Sequence, residues 1–384
     1  MALELESLTG DAPLEVPIGN LEKSISELWR SASKDAENPE AVLRAVALTL
    51  VVYVDSPEAA EEVRELAGAL SEQNPCRVIT LIAQPQGTPA GLRSWISAQC
   101  KCDPNVSGRK QIRSEQIAIS ALGGAVPDLG SVALPLTLSG LPVYFWWRAG
   151  QFSPPDYLDQ IFRVSTHVLV DSARAADAAS DLHALARLVR ERSKRSAFMD
   201  LNWARLTPWR ELIAQCFDNP GVREYVNRVN RVRLEYESDS PRLAAQEAQG
   251  LLIAGWLASR LKWQPLGTGA KNQDGVRAFS LKSQEGSVEI QLVRRAFEGC
   301  GGGVCFSVSL EAAGKPPATL RLERGCDGRN VVTRAEVQGR PAVTRTVRLE
   351  VLEEAQLINE ELQFPGRDRI FEDSLECMAR LLEE

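Results

Sequence analysis

Histidine is what this chain has least of. His167 and His183 are the two histidines among 384 residues, which leaves little for an imidazole-based catalytic triad or a multi-histidine metal site. Basic charge is not in excess either. Lys and Arg number 44 against 51 Asp and Glu, a formal net charge of −7, whereas a dedicated nucleic-acid binder is expected to be basic. No apolar run has the length of a membrane span, and the acidic start, Met1 to Glu6, does not read as a signal peptide. The glycine loops that cradle phosphate, Gly-x-Gly-x-x-Gly and Gly-x-x-x-x-Gly-Lys-Ser/Thr, follow none of the expected strands. Eight cysteines without dense spacing suit reduced thiols of a cytoplasmic protein better than an extracellular disulfide framework.

What remains is the composition of an ordinary globular protein, 44% apolar and 25% charged, with room for two or three domains. A polar lead-in over residues 1–40 contains one expected helix, Leu21 to Arg30. The second half of Val42–Val54 reads as a buried strand, and Asp55-Ser56-Pro57 opens a helix with Ala59, Val63, Leu66, Ala67 and Leu70 on one stripe. Further strands are expected at Arg77–Ala83, Arg93–Gln99, Arg109–Ser120, Leu141–Arg148 and His167–Val170. Helices are expected over Leu129–Leu138, from Pro154 or Pro155 to Phe162, and over Ala173–Lys194. Strands alternating with helices predict a Rossmann-like, mostly parallel sheet over residues 41–195.

Leu141-Pro-Val-Tyr-Phe-Trp-Trp-Arg148 is the centre of that domain. Adjacent tryptophans in a strand face opposite sides, so burying both requires a sheet covered on both faces. Arg148 then stands at the strand's carboxyl end, where open α/β sheets place their binding crevice.

Residues 196–384 predict a second, α+β domain. In Asp200-Leu-Asn-Trp-Ala-Arg-Leu-Thr-Pro-Trp-Arg210, Thr207 is expected to cap a helix whose buried stripe is Trp209, Leu212, Ile213, Cys216 and Phe217. Trp203, Arg205 and Arg210 fall outside the stripe and read either as partner contacts or as ordinary surface. Arg242–Trp263 is a further helix. Beyond it the hydrophobic period becomes two, through Val288–Leu292, Val304–Leu310, Leu320–Leu322 and Val343–Val351, an antiparallel meander with one wet face and flanking helices, the last Ile370–Leu382. In a meander the Cys300 and Cys326 turns share one end of the sheet, and Cys305 starts a strand beside them. These three thiols read as a redox switch or as unrelated turn residues. A zinc site lacks a fourth ligand, and Cys100 and Cys102 are too close and too isolated for a metal.

Arg113-Ser-Glu-Gln-Ile117, Leu134-Pro-Leu136, Leu141–Arg148 and Asp200–Arg210 together resemble the OpcA family, the glucose-6-phosphate dehydrogenase assembly proteins of cyanobacteria and actinobacteria. The resemblance runs from about residue 40 through the second domain. It implies a protein without catalysis or cofactor of its own, an allosteric activator. Such a protein binds glucose-6-phosphate dehydrogenase, promotes its active oligomer and raises its apparent affinity for glucose 6-phosphate. It also implies thioredoxin-dependent control within the oxidative pentose phosphate pathway. Tryptophan and arginine are frequent interface anchors, so Trp147, Arg148, Trp203, Arg205 and Arg210 are the expected partner contacts, and Cys300, Cys305 and Cys326 the expected redox residues. The alternative from another class is a sugar-phosphate binder or enzyme using a crevice near Arg113, Glu115 and Arg148.

Overall fold

A computed structural model describes residues 13–34, 46–102, 110–238, 240, 242–267, 271–273, 275–296, 306–364 and 366–383. Its first sheet contains β1 (Leu14–Glu15), β2 (Leu48–Val54), β3 (Cys76–Gln84), β4 (Gly91–Cys102), β5 (Lys110–Leu122), β6 (Val143–Trp147), β7 (His167–Val170) and β8 (Ala197–Asp200). The spatial order is β1-β4-β5-β3-β2-β6-β7-β8. From β5 to β8 every neighbouring pair is parallel, while β4 and β1 close one edge antiparallel. Numbered along the chain, the six parallel strands follow the 3-2-1-4-5-6 order of doubly wound dinucleotide-binding sheets. The order reverses between β2 and β6, which places the crevice of this fold at their carboxyl ends.

The helices of this half are α1 (Leu21–Lys34), α2 (Pro57–Gln73), α3 (Leu129–Ala133), α4 (Asp159–Val164) and α5 (Ala178–Arg192). The Ser56 hydroxyl caps α2 by accepting from the Ala59 amide at 3.1 Å, and Val63, Ala67 and Leu70 form its buried stripe. Three helices are shorter than their patterns. Residues 134–136 are a 3-10 turn containing Pro135, residues 156–158 form another before α4, and Asp177 caps α5 five residues past the expected start.

All five residues of β6 are buried. Trp146 packs with Leu50, Val52, Leu169 and the helix stripe of α2, whereas Trp147 packs on the opposite face with Val51 and Phe145. Trp147 stacks on Tyr53 at 4.6 Å and donates its indole N–H to the Gln151 carbonyl at 2.8 Å. Both faces of the sheet are therefore covered, as the paired tryptophans required.

The second half contains α6 (Leu201–Arg205), α7 (Thr207–Cys216), α8 (Pro220–Arg223), β9 (Val229–Glu237), α9 (Leu243–Arg260), β10 (Gln264–Pro265), β11 (Lys271–Gln273), β12 (Val276–Lys282), β13 (Ser287–Arg295), β14 (Phe306–Ala312), β15 (Ala318–Arg324), β16 (Asn330–Val337), β17 (Val343–Arg348), α10 (Glu354–Leu362) and α11 (Arg369–Leu382). Its sheet runs β10-β12-β13-β9-β14-β15-β16-β17, with β11 paired to β12. The expected meander is interrupted: β9 inserts between β13 and β14, parallel to the first and antiparallel to the second. Val232, Leu234 and Tyr236 of β9 point into the core between charged Arg231, Arg233 and Glu235. The polar face is open at Arg231 and closed over at Glu235, which is buried between Arg233 and Arg295.

The two sheets do not divide the chain at a single point. β8, beyond residue 195, completes the first sheet at one edge, and β1 of the lead-in closes the other. Between the sheets, α5, α9 and α11 pack together. Gly255 of α9 lies so close to α11 that a Cβ there would fall 2.2 Å from the Ser374 carbonyl oxygen. No helix among the described residues is long and apolar enough to cross a membrane.

Candidate functional site

The carboxyl edge of the parallel sheet collects charge. Asp55 follows β2, Arg148 follows β6, Asp171 follows β7, and Asp200 ends β8. Arg148 stands at the switch point, 4% exposed. Its guanidinium lies 2.8 Å from Glu62 of α2 and 3.2 Å from Glu354 at the start of α10, over the Trp146 ring at 5.3 Å. Arg174 approaches the same two carboxylates at 3.7 and 3.8 Å. α10 lies on α2 and α6, burying Leu357, Ile358 and Leu362 against the β2–β6 face.

One layer further, Arg205 makes a two-pronged contact with Asp171, at 2.7 and 3.0 Å. Asp200 is fully enclosed; its carboxylate accepts from the Ser172 amide and hydroxyl and from the Asn202 amide at 2.7–3.1 Å. Burial, followed by the nearby Asp171, pushes its pKa up to about 6. The Trp203 indole N–H donates to Asp368 at 2.7 Å, and the Arg210 guanidinium lies 3.5 Å from the centre of the Trp203 ring. Burial lowers Arg210 to about 10 and raises Glu361 of α10 to about 7, the latter aided by Asp368. Four arginines and the carboxylates around them thus fasten α6, α10 and α11 onto the carboxyl ends of the strands.

A dinucleotide is the ligand this strand order implies, and the residues do not fit it. A pyrophosphate needs glycine in the first βα turn and a free helix N-terminus. The turn here is Val54-Asp55-Ser56-Pro57. Ser56 already takes the Ala59 amide, and Glu58, Glu61 and Glu62 crowd the first turns of α2 with negative charge. Arg148, the cation that could have met a phosphate, is held by Glu62 and Glu354.

Two family models match the chain, described as the glucose-6-phosphate dehydrogenase subunit N-terminal domain over residues 67–187 and its C-terminal domain over residues 196–375. This chain belongs to the OpcA family. Curated relatives named as OpcA of the OxPP cycle include one from Nostoc punctiforme, 28% identical over 82% of this chain and 67% of its own length. Another, from Synechocystis, is 28% identical over 83% of this chain and 66% of its own length. The chain thus spans about two thirds of the length of these relatives. Among solved structures, a super-repressor mutant of Gal80p from Saccharomyces cerevisiae is similar with a TM-score of 0.45 and 12% identity, covering 83% of both chains. A levoglucosan dehydrogenase, in complex with NADH and L-sorbose, gives 0.45 at 10% identity, covering 86% of this chain and 90% of its own.

The OpcA strings are turned inward. Trp147, Arg148 and Trp203 are buried within the chain: Trp147 donates to the nearby Gln151 carbonyl, while Arg148 and Trp203 meet acids from distant segments. Arg205 and Arg210 are half-buried, each with an internal partner. Thr207 does not cap α7; its hydroxyl accepts from Arg210 at 2.9 Å. Nor does the alternative crevice assemble. Glu115 pairs with buried Arg77 at 2.7 Å, and Arg77 lies in register with Thr49 and Val143 at the amino end of the sheet. Arg148, five residues beyond Val143, is roughly 17 Å away at 3.3 Å per residue, while the Arg113 side chain is outside the described residues.

Of the expected redox cysteines, Cys300 and Cys305 lie outside the described residues. Cys326 is exposed and disulfide-bonded, and Cys76, Cys216 and Cys377 are free. Ser307 pairs with Glu323, so the Cys326 turn lies at the end of the sheet where β14 begins. Burial pushes Cys76 up to about 12 and Cys216 up to about 11, away from ready thiolate formation. The acids Glu62, Asp171, Glu354, Glu361 and Asp368 were not singled out from sequence. The signal for Asp171 was present, a charged residue directly after the expected strand His167–Val170, as Arg148 directly follows β6.

Proposed function

We propose that this chain is a non-catalytic partner of glucose-6-phosphate dehydrogenase, binding it, favouring its active oligomer and raising its apparent affinity for glucose 6-phosphate. The observation that carries the reading is the switch point: in a chain of the OpcA family, the crevice is filled by Arg148, Glu62, Glu354 and α10. A protein whose crevice is filled with its own side chains acts through its surface. To activate, it binds the competent form of the dehydrogenase more tightly than the incompetent form, and a tenfold preference requires about 1.4 kcal/mol. Thiol control and a thioredoxin as reductant belong to the same reading, supported by the exposed, disulfide-bonded Cys326.

The test mixes the purified chain with the dehydrogenase, follows the rate against glucose 6-phosphate, and passes the mixture over a sizing column. Co-elution and a lower half-saturating concentration are expected, with a different response after reduction by a dithiol. An unchanged saturation curve without co-elution refutes the proposal, and an identical curve before and after reduction refutes its redox part.

A further inference from the structure

From the free edge of the second sheet we infer a docking strand: β17 pairs with an extended, acidic segment of the dehydrogenase, which joins the sheet as a further strand. This rests on the partnership proposed above.

β17 ends the strand order and pairs only with β16 among the described residues. The Leu349 amide donates to the Arg329 carbonyl at 2.7 Å, which fixes the phase of the ladder. In an antiparallel pair the hydrogen-bonded positions alternate, so residues 343, 345 and 347 bond inward to β16. The N–H and C=O groups of Thr344, Thr346 and Arg348 point away from it, and all three residues are exposed. An uncovered row of backbone donors and acceptors is a template for an added strand.

Beside this edge runs a groove of about 530 Å³ between α7 and the β16–β17 ribbon, with Leu212, Cys216, Ala335, Val343 and Val347 among its walls. Val343 is 41% exposed. An added strand would set alternate side chains over these apolar groups.

Charge selects the occupant. Elsewhere on this sheet arginines have acidic partners, among them Arg231 with Glu289, Arg321 with Glu323, and Arg334 with Glu336. Arg340, Arg345 and Arg348 are exposed and form no ion pair among the described residues. This basic edge belongs to a chain of net charge −7. A second copy would bring the same arginines against one another, and like charges across a ladder are destabilising. An acidic segment satisfies them.

The experiment uses the full chain and the intact dehydrogenase. In the complex, amide hydrogen exchange at Thr344, Thr346 and Arg348 slows at least tenfold. Thr346→Pro deletes an outward N–H without removing a bond to β16, and weakens dehydrogenase binding at least tenfold. Arg348→Glu, a surface change that leaves the backbone alone, weakens it as much, with the largest loss at low salt. Melting temperatures identify a variant that fails to fold, in which case Arg348→Glu alone decides. Parent-like binding by folded Thr346→Pro or by Arg348→Glu overturns the docking strand and leaves the partnership standing. Self-association of the parent that either change abolishes, with dehydrogenase binding intact, likewise overturns it in favour of a second copy. A parent that does not bind the dehydrogenase overturns both.

Discussion

At the scale of single residues, Trp203 sets the pattern. Its ring packs on Phe371, its N–H reaches Asp368, and Arg210 covers its other side. Trp203→Phe retains most of the ring and removes the donor, leaving an Asp368 oxygen without its indole partner. The expected loss is about 1–3 kcal/mol, the cost of stranding a partly buried acceptor, read as a lower urea midpoint. A midpoint equal to that of the parent would mean that water replaces the indole. Trp209 was legible as core from its i, i+3, i+4 spacing alone, and it packs edge-on against Phe306 at 5.0 Å. Trp203 was not, because Phe371 and Asp368, which take its ring and its N–H, lie more than 160 positions later, a distance that no local period encodes.

At the scale of elements, α9 is buried nearly all round and lies between α5, α11 and the second sheet. Gly255 is what permits that approach. Gly255→Ala places a methyl 2.2 Å from the Ser374 carbonyl oxygen and 2.7 Å from the Met378 Cβ, forcing α9 and α11 apart at about 1–3 kcal/mol. Gly250→Ala meets instead the movable end of Leu292, at 3.2 Å, and is expected to cost less. Thermal melts of the two variants test the order. The existence of α9 and of β6 was readable from composition and period. β9 was not: no strand was expected at residues 229–237, and local pattern does not encode insertion between two strands far apart in sequence.

For the molecule as a whole, the carboxyl-edge network couples stability to pH. Glu361 and Asp200 hold their protons to about 7 and about 6 in the folded chain, while an unfolded carboxyl releases its proton near 4. Between these values the unfolded chain binds fewer protons than the folded one, so these two groups favour folding fully below pH 4. That contribution is lost as pH rises through 6 and 7. Around Glu361, Asp368, Asp200 and Glu360 oppose its ionisation and Arg210 assists it. Glu361→Gln is therefore expected to raise the melting temperature above the parent's at pH 8 and to match it at pH 4. A variant less stable than the parent at pH 8 would show that the ionised carboxylate is needed.

The parallel order and the covered sheet were legible from alternating elements and from the Trp146–Trp147 pair. The closing of the crevice was not, since Glu62 and Glu354 meet across nearly 300 residues of sequence.

Apolar packing runs unbroken from Phe145 of the first sheet through Leu185 of α5, Leu252 of α9 and Leu375 of α11 to Leu292 of the second. Flexing between lobes needs a seam crossed by few contacts, and among the described residues there is none between the two sheets. A load set on one sheet is therefore carried into the other through a shared apolar interior, as through a keystone, rather than absorbed at a joint between them.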